Sequence, residues 1–130
     1  MTAPEREKLL ALAARCEAAD CGDALIDKAI AEALGWRLVV QTHDDDLEDF
    51  DWQAPNGSLQ PWPPFYSRSL DAAMTLAAGR EAWKLEHWRD LITGRDIFEA
   101  WAAYAPRVSA ASPALAMCAA ALRALAQEPR

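Results

Sequence analysis

The sequence predicts an α+β fold: an N-terminal helical hairpin, a further helix and a C-terminal helix, packed on a small, mainly antiparallel sheet. Two observations lead there. Helix-start signals followed by apolar stripes stand near both ends of the chain. Between them Trp83, Leu85 and His87 alternate with Lys84 and Glu86, the period-2 pattern of a half-buried strand. The 130 residues read as one domain, 1–130, with a long acidic and proline-rich loop at 43–66 and no internal repeat.

The opening Thr2-Ala3-Pro4-Glu5 is a capping box, with proline in the first turn where its missing N–H is not needed. Leu9, Leu12, Ala13 and Cys16 follow helical spacing, which predicts a helix over about 3–19. Cys21-Gly22-Asp23 turns the chain and caps a second helix, whose stripe is Ile26, Ala29, Ile30, Ala33 and Leu34. Gly35 suits the left-handed end of that helix. Residues 36–42 carry Leu38-Val39-Val40 and predict a short strand.

Residues 43–66 hold an acidic cluster, Asn56-Gly57 and the prolines Pro55, Pro61, Pro63 and Pro64. These block helix and central strand, while Phe50, Trp52, Trp62, Phe65 and Tyr66 require part of the segment to pack down. Ser67 or Ser69 caps the next helix, with Asp71 in its first turn, inward-facing Leu70, Ala73, Met74 and Ala77, and Gly79 at its end. Thr93-Gly94 turns the chain after the period-2 strand. Residues 97–104 fit a helix, through an Asp96/Glu99 capping box, or a strand paired in a hairpin; the strand is preferred. Ser112-Pro113 starts the last helix, with the stripe Leu115, Cys118, Ala119, Leu122 and Leu125.

A chain of this size buries roughly two-thirds of its unfolded surface and folds without staples. It is 52% hydrophobic, with 29 alanines. The net charge is −7, the opposite of the basic footprint of a nucleic-acid binder. Direct DNA or RNA binding is therefore not expected, and a partner with a basic surface is. Three cysteines without a CxxC pair do not form a secreted disulfide framework. No apolar run reaches the roughly 18 residues of a membrane span, and no signal peptide is read. The expected location is the cytoplasm.

Six carboxylates crowd into the eight residues 44–51: Asp44, Asp45, Asp46, Glu48, Asp49 and Asp51, with His43 before them and Trp52 after. Adjacent unit charges repel by about 1 kcal/mol at 4 Å in water, so the run does not serve local stability. One reading is a solvated loop. A second is a calcium loop, since Asp44, Asp46 and Glu48 stand at i, i+2 and i+4. That match fails at Asp49, where glycine is needed, and at Pro55, where glutamate is needed. The third is a phosphate-imitating surface that enters a basic groove and steers association through its field. The six carboxylates, with Trp52 and Trp62 as apolar anchors, are the candidate partner-binding residues. Trp83, Trp88 and Trp101 are expected to pack the sheet against helices. No zinc spacing, nucleophile elbow, phosphate loop or zinc-protease motif occurs. No catalytic residue, metal or cofactor is expected.

Two segments carry a resemblance: Pro64-Phe65-Tyr66-Ser67-Arg68-Ser69-Leu70-Asp71-Ala72-Ala73-Met74-Thr75-Leu76, and Ser112-Pro113-Ala114-Leu115-Ala116-Met117-Cys118-Ala119-Ala120-Ala121-Leu122-Arg123. They resemble small phage and prophage proteins of alphaproteobacteria, similar to the phage αβα-sandwich domain family. That family pairs a tyrosine-serine-leucine-aspartate helix start with a tryptophan-containing strand region and a final alanine-rich helix. Leu25-Ile26 and Gly35-Trp36 fit the same pattern. The likeness covers the first 40 residues and 62–126, and the acidic loop lies outside it. It implies a compact α/β domain of phage origin, placed in the host cytoplasm, and carries over no catalytic residue.

The expected function is that of a non-enzymatic phage accessory protein. Its acidic loop would inhibit a host defence or nucleic-acid-handling complex, as a DNA mimic of the anti-CRISPR kind. The alternatives are a nucleotide-signal binder, with Arg68, Arg80, Arg89 or Arg95 converging on a pocket, and a self-assembling homo-oligomeric module.

Overall fold

The computed structural model describes residues 2–42, 48–77, 83–102 and 105–128. Helix α1 (Ala3–Ala18) starts at the expected capping box: Thr2 Oγ1 accepts from the Glu5 N–H at 3.3 Å, and Glu5 Oε2 accepts from the Thr2 N–H at 3.0 Å. Helix α2 (Ala24–Ala33) is capped by Asp23, whose Oδ1 accepts from the Ile26 N–H at 2.8 Å. Gly35 takes φ +98°, and the N–H groups of Gly35 and Trp36 close on the carbonyls of Glu32 and Ala31. That left-handed stop turns the chain directly into a strand.

The antiparallel strands divide into two three-stranded sheets. The first runs in the order β1 (Arg37–Thr42), β2 (Glu48–Gln53), β3 (Leu59–Gln60). Residues 43–66 were expected as one long loop, and the structure corrects this, because β2 and β3 both fall inside it. Asp49, Asp51 and Gln53 alternate with Phe50 and Trp52, a strand pattern hidden by the density of carboxylates. Pro55, Pro61, Pro63 and Pro64 all fall outside the strands, where a missing N–H breaks no ladder.

Helix α3 (Leu70–Ala77) is capped by Ser69, whose Oγ accepts from the Ala72 N–H at 3.3 Å. Gly79, its expected end, lies outside the described residues. The second sheet runs β4 (Trp83–Arg89), β5 (Asp96–Ala102), β6 (Val108–Ala110). Over its described residues 97–102 the ambiguous segment is thus a strand, as preferred, and β5 pairs with β4 from Arg89↔Asp96 to Trp83↔Ala102.

Helix α4 (Pro113–Gln127) begins at Ser112, whose Oγ accepts from the Leu115 N–H at 3.2 Å. It is the centre of the molecule. α1 and α3 pack against it, and the second sheet lies on it chiefly through β5. Every residue from Ala114 to Leu122 is buried. A helix apolar on all sides must be covered on all sides, and its alanines allow that close approach. The β1–β3 ribbon, by contrast, makes few contacts with the helices.

The tryptophans of the second sheet depart from expectation. Leu85 pairs with Ala100 on the face toward the core, so Lys84↔Trp101 and Trp88↔Ile97 point the other way. Trp88 and Trp101 are one residue out of step with that face. Trp101 instead carries the Lys84 ammonium at 5.2 Å and the Arg107 guanidinium at 4.5 Å from its ring centroid. Trp83 shares the face of Leu85 but sits at the strand end, half exposed.

Candidate functional site

The acidic run is carried by a β-hairpin. Its ladder runs from Arg37↔Gln53 to Thr42↔Glu48, and residues 43–47, with Asp44, Asp45 and Asp46, join the strands outside the described residues. Strand pleating sorts the rest by face. Asp49 pairs with Gln41 and Asp51 with Val39, on the face that also carries Arg37 and Gln53. Arg37 Nε donates to Gln53 Oε1 at 3.0 Å. On the opposite face stand Leu38, Val40 and Phe50, exposed to 49%, 55% and 55%, together with the register position of Glu48.

Trp52 shares that second face but is only 7% exposed, which corrects its expected role as a partner-facing anchor. β3 is two residues long and pairs only with Trp52 and Gln53. Trp52 is therefore enclosed mid-sheet, and Phe50, beyond the end of β3, stays open. Trp62 is exposed to 67%, just past β3, where Gln60 Nε2 donates to its carbonyl at 2.6 Å.

The sequence reading missed two features. At the β4–β5 turn Leu91 and Ile92 are 93% and 95% exposed. The turn is well fixed: Asp90 Oδ1 accepts from the Ile92 N–H at 2.9 Å, and Gly94 adopts φ +72°. Two adjacent aliphatics between Asp90 and Thr93-Gly94 were the available signal. The other is a buried polar cluster around Asp27. Its Oδ1 accepts from the Ser67 N–H at 2.6 Å and from the Ser67 hydroxyl at 2.5 Å, and its Oδ2 accepts from Arg68 Nε at 2.7 Å. The Ser67 hydroxyl also accepts from the Asp23 N–H at 3.0 Å. These bonds are internal, and they clamp α2 to the segment before α3. No local pattern marks Asp27, because its partners lie 40 residues away.

Cys16 and Cys118 are buried, and Cys118 Sγ donates to the Tyr66 carbonyl at 3.0 Å. Desolvation pushes the Cys16 thiol up to about 12 and raises that of Cys118 as well. His87 bonds Asp96 at 3.0 Å and stacks on Phe98, and His43 lies outside the described residues. In the native protein at neutral pH, Cys21 alone is expected to react with an alkylating reagent, and all three cysteines after unfolding; peptide mass mapping checks this. Both buried thiols keep their protons in the fold and lose them from about 9.0 when unfolded. Their contribution to stability is therefore complete below that value and is lost as the pH rises toward about 12, which denaturation midpoints across that range will show.

A wide cleft of about 1000 Å³ lies between the end of α1, the β4–β5 turn and Ser109–Ala111. Of its four carboxylates, Glu17 is engaged by Arg123 at 2.5 Å, Asp96 by His87 and Asp90 by its own turn, and Asp20 lines the cleft beside them. The His87 hydrogen bond holds Asp96 below the usual carboxylate range, and the Ile92 N–H does the same for Asp90. Arg68 is held by Asp27, Arg89 lies 3.7 Å from Asp96, Arg80 is outside the described residues, and Arg95 lines the cleft. Among the described residues no group of three His, Cys, Asp or Glu side chains is placed to hold a metal, and no helix is long and apolar enough to cross a membrane.

No protein-family model, curated protein or solved structure matches this chain. Fold and surface define an α+β protein with an acidic, half-apolar β ribbon attached to a helix-centred body.

Proposed function

We propose that the protein is a non-enzymatic binding protein, a phage accessory factor in type. Its β1–β2 hairpin would occupy a basic, nucleic-acid-binding surface of a host protein. The observation that carries this reading is the placement of the carboxylates. Glu48, Asp49 and Asp51 stand on β2 of a narrow ribbon that packs little against the helices, and Asp44, Asp45 and Asp46 belong to the sequence that joins β1 to β2. Asp49 and Asp51 share a face about 7 Å apart along the strand. A ribbon this thin fits a groove, and like charges held this close favour a cationic surface. Phe50 on the hairpin itself and Trp62 just past β3 are exposed aromatics.

Pull-down from host lysate is expected to recover a basic nucleic-acid-binding protein and to lose it at high salt. Duplex DNA should compete for it. The variant with all six carboxylates changed to Asn or Gln should bind that protein at least about a hundredfold more weakly, the range in which charge complementarity acts on association. Equal recovery by the variant would remove the mimic reading.

A further inference from the structure

The two sheets present four edges, and three are protected. β3 is two residues long and β6 is three. β4 carries Lys84, Glu86 and Arg89 along its seven residues. Short length and charged side chains are the usual guards against edge pairing. β1 has neither guard. It runs six residues, Arg37-Leu38-Val39-Val40-Gln41-Thr42, β-branched at its centre, with no proline and no charge after Arg37. Among the described residues its ladder runs to β2 alone, and Leu38 and Val40 are exposed beside Phe50 on one face.

We infer that β1 is a self-pairing edge: a second copy of the chain adds its own β1 antiparallel, making a six-stranded sheet in the order β3-β2-β1-β1-β2-β3. Charge selects the occupant. Arg37 is the single Lys or Arg between Lys28 and Arg68, and the acidic run starts just beyond the other end of the same strand. Antiparallel pairing about a two-fold axis brings the Arg37 end of each copy to the acidic end of the other. Parallel pairing would set acid beside acid. Centring the axis on Val40 keeps the faces matched, since residues directly opposite share a face, and it joins the Leu38, Val40 and Phe50 surfaces of both copies into one strip. The arrangement is isologous and closed, and the edges it leaves free are the short or charged ones.

Sedimentation of the full chain across a hundredfold concentration range tests this, together with hydrogen exchange of the β1 amides. The expected result is a species of twice 14.3 kDa whose β1 amides exchange more slowly as concentration rises. Val40→Glu places like charges across the axis and should weaken association about a hundredfold, with an unchanged circular dichroism spectrum. Arg37→Glu should weaken it about tenfold, less at high salt. A wild-type monomer at every concentration overturns the inference, as does a dimer whose β1 amides exchange as fast as the monomer's. Slow β1 exchange only when a different protein is added assigns the edge to that protein's strand, and overturns it too.

Discussion

Gly22→Ala is expected to destabilise the protein by about 3 kcal/mol, near the upper end of what overpacking costs. The position is not a conformational glycine, since its φ is not among the positive ones. What requires glycine is proximity. A Cβ at residue 22 would lie 2.0 Å from the Ser67 carbonyl oxygen and 2.4 Å from the Ser67 carbonyl carbon. Those are backbone atoms, so no rotamer change relieves the overlap. Either the α1–α2 connection or the segment before α3 must shift, and each is tied into the Ser67 hydrogen bonds. Thermal unfolding should show a midpoint lowered by about 10 °C. A midpoint within a degree or two of wild type would mean that the two segments do not meet as described.

Asp27→Ala is expected to cost about 3 kcal/mol by a different route. The Ser67 N–H is buried and loses its acceptor, and an orphaned buried donor alone costs roughly 1–3 kcal/mol. The Ser67 hydroxyl and the Arg68 guanidinium lose charge-assisted bonds at the same time. Arg68 is 41% exposed, so water recovers part of its loss, and the total stays below that of a fully buried broken pair. Asp27→Asn keeps one carbonyl oxygen for Ser67 and should cost about half as much. Urea denaturation with an unchanged m-value would confirm both. Because Gly22 and Asp27 act on the same Ser67, the double variant should fall short of the sum of the singles.

Much of the fold was legible because its signals are local. The Thr2 and Ser112 caps, the Gly35 stop and the alternation through β4 each involve residues within a few positions of one another. Segment 97–104 was ambiguous for the same reason. Asp96 and Glu99 satisfy a helix-capping pattern, yet Asp96 bonds His87 across the sheet and β5 gains partners on both sides. In β2 the strand period was present, but six carboxylates and four nearby prolines argued for a loop, and only pairing with β1 decides between them.

By itself the sequence determined the α+β class, the helix ends, the acidic composition and the concentration of carboxylates at residues 44–51. Those follow from chain-local hydrogen bonding, periodicity and charge. Tertiary structure alone decided that α4 lies at the centre, that Trp52 turns inward while Phe50 stays open, and that β1, among the described residues, pairs on one side alone. It alone brought Gly22 and Asp27 onto Ser67. Each of these depends on which surfaces meet across 40 or more residues, or on where a neighbouring strand stops. A burial preference states that a side chain is to be covered, and the packing of distant elements determines what covers it.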